Sequence, residues 1–398
     1  MNTGTVTEKR KQIRAAYIPS PRRAISVLIS VFFIAMLIRN PDISIKYVTR
    51  GLTLCTSAVI PTLFPFMVLS ELLVRTGGGE ILGRIFERPM RALFGLSGAG
   101  SCAFLLGTVC GFPVGSRTAV TLYDRGLMTR EETERLISFC NYPSSAFMIS
   151  AVGAALWSNR RLGTAMYICV LLAGMLCGIA VSISARRSAK ENKKSKPPLA
   201  ACSETKKPER NAVSDSITAA AVSTLNVCAY VAFFSCVVGC ISHFFARLSP
   251  GRITEAAVYS LFELTSGAAA ASAVTPKTAG ILLCPAAAGW SGLSVHLQVF
   301  SVCSSSELPT PRLRKYIISK AVQAPLAAAL MYLALLVFPT LAESADPAAA
   351  YAYASAAPGY RIFAATMLAL FAISLTAYAI NRILVKRNAR KHRQAAKQ

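Results

Sequence analysis

The chain has 398 residues, 54% of them apolar, and a formal net charge of +25. That composition calls for a membrane. It also argues against nucleic-acid binding, because the positive charge gathers in terminal and linker clusters with no basic platform interleaved with aromatics. The twelve cysteines lie mostly in apolar stretches, with no CxxC pair and no His/Cys cluster at metal spacing, so neither a disulfide framework nor a metal or other cofactor is expected.

Taken in order, residues 1–23 form a basic tail (Lys9, Arg10, Lys11, Arg14) that the positive-inside rule places in the cytoplasm. Residues 24–38 are a short apolar membrane segment. Arg39-Asn40-Pro41-Asp42 offers no small-residue cleavage site, so the segment reads as retained rather than as a signal peptide. Residues 51–74 are long enough to cross hydrocarbon, which takes about 20 residues. An amphipathic stretch follows at 79–93, with Ile81, Leu82, Ile85 and Phe86 apolar and Arg84, Glu87 and Arg91 polar. Residues 97–123 are apolar but too rich in Gly and Ser for one clean helix, and the reading is a re-entrant hairpin. The plainer reading is a kinked span with small residues at a packing interface. Thr129-Arg130-Glu131-Glu132 is a capping box that starts a helix outside the hydrocarbon. The span at 136–157 is broken by Pro143, and the span at 163–183 is intact.

Residues 184–215 are rich in Lys, Glu, Ser and Pro and read as a disordered basic linker. The order of parts then repeats: a span at 217–245, an amphipathic piece at 254–264, a Gly-rich piece at 267–303, a proline-bearing span at 316–338 and a final span at 362–380. The expected fold is an all-α polytopic membrane protein of two inverted repeats, 51–183 and 216–383. Each repeat is a span, a re-entrant hairpin, a proline-broken span and a final span. A basic tail, 384–398, closes the chain.

One pattern occurs in both halves. Cys110-Gly111-Phe112-Pro113-Val114-Gly115-Ser116 precedes Asn141-Tyr142-Pro143-Ser144, and Ala288-Gly289-Trp290-Ser291-Gly292-Leu293-Ser294 precedes Gln323-Ala324-Pro325. Paired helix interruptions point to a substrate site near the bilayer midplane. A proline-broken helix exposes unpaired N–H and C=O groups in a dry environment. Asn141 and Gln323 each bring a donor and an acceptor suited to a neutral polar solute such as a heterocyclic base or sugar. The candidate binding residues are Gly111, Pro113, Ser116, Asn141, Pro143, Ser144, Gly289, Ser291, Ser294, His296, Gln298, Gln323 and Pro325. Each has a plainer role: the serines bond back to their own helices, Asn141 and Gln323 cross-link helices, and His296 sits at a hairpin mouth in water. No paired carboxylates, Ser/His/Asp set, HExxH or phosphate loop is present, so no catalytic residue is named and an enzyme is not expected.

Pro113-Val114-Gly115-Ser116-Arg117, Tyr123-Asp124-Arg125-Gly126-Leu127-Met128-Thr129 with Glu132, and Phe139-Cys140-Asn141-Tyr142-Pro143 together resemble the nucleoside-recognition, or Gate, domain. Gly292-Leu293-Ser294-Val295-His296-Leu297-Gln298 is similar to the second half of that arrangement. Over about residues 50–385 the chain resembles the YlbJ-type sporulation integral membrane proteins. The resemblance implies a fold related to concentrative nucleoside transporters, a ligand site between hairpin tips and broken helices, and a multi-pass location in the cell membrane during spore development. In those transporters the hairpins and broken helices carry carboxylates, and the matching positions here carry none. Partners are the lipid bilayer and a small polar solute, with homo-oligomers left open. The alternative to a solute-moving or solute-sensing protein is a non-transporting scaffold or regulator of coat or cortex development. Repeat inversion places the C-terminal tail outside, whereas its charge places it inside, and the sequence leaves both open.

Overall fold

The computed structural model describes residues 21–191, 211–306 and 314–342. The expected final span at 362–380, the basic tails and most of the linker lie outside the described residues. Among the described residues the chain is helical, with no strand. Four stretches are long and apolar enough to cross a membrane: Arg160–Ala185, Ala212–Leu248, Lys277–Ser304 and Arg314–Val337. A fifth arises if Ala24–Arg39 and Pro41–Ser57, bent by 101° at Asn40, count as one. The protein is a multi-pass membrane protein.

Helix α1 (Pro21–Arg39) turns at Asn40 into α2 (Pro41–Leu54), whose first position is a proline, where no backbone N–H is needed. The expected span at 51–74 is divided among the end of α2, a π-helical turn at Cys55–Val59 and α3 (Ile60–Arg75), which carries Pro65 inside it. Proline removes an intrahelical donor, which is one cause of such local changes of winding. Helix α4 (Gly78–Pro89) corrects the expected amphipathic face. Its glycines Gly78, Gly79 and Gly83 are buried, and Ile81 and Ile85 are exposed. Gly83 packs so closely on Gly98 and Ala99 that a Cβ would sit 3.0 Å from the Ala99 nitrogen. The helix docks by its glycines together with Leu82 and Phe86, and leaves its isoleucines at the surface.

Helices α5 (Gly100–Cys110) and α6 (Val114–Asp124) pack on each other as a hairpin, reversing at Gly111-Phe112-Pro113. Gly111 has φ +87°, a conformation that glycine adopts without a Cβ penalty. Each arm is about 16 Å long, roughly half the thickness of the hydrocarbon core. The capping box is present. Thr129 Oγ1 accepts from Glu132 N at 3.3 Å, Glu132 Oε2 accepts from Thr129 N at 3.1 Å, and α7 (Arg130–Ile137) begins there. Residues 138–144 leave the helix, and a π-helical segment follows at Phe147–Leu156. The break expected around Pro143 is therefore real.

The second half differs. After α8 (Arg160–Glu191) and α9 (Ala212–Leu248) come the short helices α10 (Arg252–Phe262) and α11 (Leu264–Ser272). Helices α12 (Lys277–Trp290) and α13 (Gly292–Ser304) meet at Ser291, φ +79°, yet together they form one stretch long enough to cross. The Gly289–Ser294 motif thus interrupts a continuous span and is not the tip of a hairpin. The chain reverses earlier, between α11 and α12, which pack on each other. Helix α14 (Arg314–Val337) continues through Pro325. The expected proline-broken span of the second half is an unbroken helix, because a single lost N–H is absorbed where the surrounding packing holds the turns on either side.

Three apolar clusters hold the bundle. One joins α8, α12, α14 and the π-helical segment around Met166, Ile281 and Met331. A second joins α5, α6, α7 and α13 around Leu122, Phe139 and Val299. A third seats α9 against Cys55, Met67 and Val114.

Candidate functional site

The two candidate amides come together, and the residue that joins them is Lys320. Asn141, in the break after α7, is fully buried. Its Oδ1 accepts from Ser116 N at 3.1 Å and Ser116 Oγ at 2.8 Å, and its Nδ2 donates to Ile137 O at 2.9 Å. Its own carbonyl accepts from Lys320 Nζ. Lys320 Nζ also donates to Gln323 Oε1 at 2.9 Å, and Gln323 Nε2 donates to Val170 O at 3.1 Å. Lys320, Gln323 and Ser116 are also fully buried. The ammonium lies 5.6 Å from the Phe112 ring centroid and 5.7 Å from that of Tyr142. The hairpin turn, the break, α8 and α14 thus meet at one buried polar knot.

Glycines make the approach possible. Gly107 and Gly115 face each other across the hairpin, and a Cβ on either would overlap the Cys140 carbonyl oxygen. Gly174 of α8 lies under Tyr142 and Gln323, and Gly289 of α12 packs on the α14 backbone at Gln323 and Ala324.

The hairpin turn has a second face. Pro113 and Arg117 line a cavity of about 540 Å³ bounded by α9, by Gln298 and Ser301 of α13 with Ser305 just after it, and by Arg75 at the end of α3. The α9 side offers Asp215, Thr218, Ser223, Asn226 and Tyr230. Buried Glu71 ties the two arginines, 3.0 Å from Arg75 Nε and 3.6 Å from Arg117 Nε, and Asp215 is 4.0 Å from Arg75 Nη1. Glu71 is thus the buried centre of a partly exposed ion-pair cluster. A cavity of this size, mixing apolar walls with a few convergent polar groups, suits a small solute.

Of the thirteen predicted residues, Pro113 and Gln298 line the cavity. Ser116, Asn141 and Gln323 form the knot. Gly111 and Ser144 touch at the hairpin turn, where Ser144 Oγ accepts from Phe147 N at 3.1 Å. Pro143 follows in the break. Ser291 Oγ donates to Ala288 O, the plain serine role, and Ser294 Oγ accepts from Gln298 Nε2 at 3.4 Å. His296 is buried, with Nδ1 2.9 Å from Tyr316 OH and its ring edge-on to Trp290. It does not sit at a mouth in water. Gly289 and Pro325 act through packing on and within α14. The sequence reading missed Lys320, Arg75 and Arg117. The signal for Lys320 was present: a lysine inside a long apolar run is a functional candidate by default.

The fold and site define a multi-pass helical membrane protein with a buried polar knot beside a cavity. Residues 56–241 match the Gate family, described as nucleoside recognition. The chain is similar to the sporulation integral membrane protein YlbJ of Bacillus subtilis (strain 168), 25% identical over 342 residues, which is 77% of this chain and 82% of that protein. No solved structure matches the chain. The Gate match covers α3 to α8 and most of α9, and so takes in the hairpin, the break and most of the cavity lining.

Proposed function

We propose that this chain is a transporter-like membrane protein of sporulation that binds, and moves or senses, a small polar solute in the cavity beside the first hairpin. The observation that carries the reading is the placement of Pro113 and Arg117. The turn that lines the cavity with these residues also sends Phe112 and Ser116 into the knot, so a solute at the cavity bears on the element that the knot holds. The Gate match, described as nucleoside recognition, supports a nucleoside-like ligand. Asn226, Gln298 and Ser223 can hydrogen-bond a heterocycle or sugar, and Arg75 and Arg117 favour a solute with an acidic group.

The test is the melting temperature of purified protein against nucleosides, bases, nucleotides and aromatic dicarboxylates such as dipicolinate. A ligand at about 100 times its Kd stabilises by about 2.7 kcal/mol. A shift lost in Asn226→Ala and Gln298→Ala variants supports the site. No shift with any solute sinks it.

A second reading, a non-transporting scaffold of the developing spore, draws on the knot itself. The Asn141 and Gln323 side chains are spent on protein partners and send no polar atom to the cavity. Partner capture that survives loss of the cavity residues favours this reading.

A further inference from the structure

Lys320 sits in surroundings that suit a cation. Its ammonium meets one backbone carbonyl oxygen, from Asn141 in the helix break, and one amide oxygen, from Gln323. Two aromatic faces, Phe112 and Tyr142, lie within the range at which ring quadrupoles attract positive charge. Carbonyl and amide oxygens at a broken helix are also the donors that hold monovalent cations in membrane proteins. Among the described residues no carboxylate pairs with Lys320. A buried lysine without a carboxylate is costly, by about 3 kcal/mol at a helix centre, so its surroundings must offset that cost.

We propose that Lys320 is a tethered cation filling a cation site built by the break, the hairpin turn and α14. The covalently held ammonium takes the place of an exchangeable metal ion. The two parts of the bundle are then held together without sodium, and solute binding at the neighbouring cavity needs none. Only that last consequence rests on the proposed solute site.

The geometry assigns distinct outcomes to three proteins: wild type, Lys320→Ala and Lys320→Met. Each is melted in detergent with sodium, ammonium, methylammonium or choline chloride at equal ionic strength. The wild type should melt at the same temperature in sodium as in choline, which is too bulky to enter. Lys320→Ala should lose several degrees and recover at least half of that loss in ammonium or methylammonium but not in choline. Lys320→Met keeps the length of the side chain without donors, and should lose several degrees that no cation restores. Sodium-dependent stabilisation of the wild type overturns the proposal. So does a Lys320→Met protein as stable as wild type, or a Lys320→Ala protein that gains nothing from small ammonium ions. If Lys320→Ala does not fold, the wild-type and Lys320→Met comparisons decide. Loss of the solute-induced shift alone would count against the solute site and leave this inference standing.

Discussion

Asn141 Oδ1 accepts from both the backbone N–H and the hydroxyl of Ser116, at 3.1 and 2.8 Å. Two segments separated by 25 residues are thereby joined at one buried oxygen. The N–H of Ser116 belongs to the first turn of α6, where helix donors lack intrahelical acceptors. The amide therefore caps α6 from outside the helix while its Nδ2 satisfies the Ile137 carbonyl at the end of α7.

This double use separates two variants. Ser116→Ala removes only the hydroxyl and should cost about 0.6 to 1.5 kcal/mol, the range of one hydrogen bond within a membrane protein. Asn141→Ala leaves the Ser116 N–H and the Ile137 carbonyl without this partner, in a site with no exposure. It should cost about 3 kcal/mol, since each buried unsatisfied group costs about 1–3 kcal/mol. Denaturant or thermal unfolding of both variants reads the difference. Equal losses would mean that the amide contributes nothing beyond the hydroxyl contact.

The hairpin depends on two glycines for a reason of space rather than backbone freedom. A Cβ on Gly107 or Gly115 would strike the Cys140 carbonyl oxygen, and each would also crowd the other glycine's Cα. Backbone cannot give way as a flexible side chain can, so Gly115→Ala should cost about 3 kcal/mol, the upper end for overpacking. Gly77 is the control. Its φ is +88° but nothing lies within 4 Å of an added Cβ, so Gly77→Ala should cost only about 1–2 kcal/mol of left-handed strain. Size-exclusion profiles and melting curves of the two variants test the ranking.

These two sites show what the sequence made legible. The capping box at Thr129 and the break at Pro143 could be read because each depends on local chemistry, a side-chain cap and a missing N–H. The match between the two halves failed for the opposite reason. Whether a Gly-aromatic pair with a second Gly close behind reverses a chain depends on backbone angles and on what packs against the turn. Gly111 closes a hairpin against Ser144, whereas Ser291 and Gly292 mark a small interruption in a continuing span. Pro325 was misread because proline breaks a helix only where neighbours allow it to open. The role of Lys320 is not legible locally, because its partners are a neutral amide, Gln323, and a backbone carbonyl 179 residues away, at Asn141.

Gly174 links the knot to α8. A Cβ there would lie 2.5 Å from Tyr142 Cε1, 2.6 Å from Tyr142 OH and 2.8 Å from Gln323 Nε2. Gly174→Ala should displace both side chains and weaken the Gln323–Val170 bond, with a loss of about 1–3 kcal/mol. If instead the Tyr142 ring swings freely out of the way, the loss will stay under about 0.5 kcal/mol, the usual range of a surface change. Melting of Gly174→Ala beside Gly174→Ser, the larger intrusion, gives the slope.

Glu71 sets the charge of the cavity. It holds Arg75 and Arg117 at 3.0 and 3.6 Å and is only 7% exposed. Converting it to Gln keeps the shape but removes the negative charge, so both guanidinium groups lose their shared carboxylate. Breaking a fully buried pair costs about 3–5 kcal/mol, but the arginines are 19% and 27% exposed and water takes up part of that loss. Glu71→Gln should therefore cost about 1–2 kcal/mol, and the loss should shrink as salt rises, because screening weakens the partly exposed pairs most. The ligand side has the opposite sign. With the Glu71 charge gone, any acidic solute that the cavity binds should bind more tightly in Glu71→Gln, while a neutral nucleoside should be unaffected. Melting shifts measured at low and high salt with both kinds of solute read these effects separately. A stability loss independent of salt, or a neutral and an acidic solute gaining equally, would show that Glu71 holds the end of α3 by packing rather than by charge.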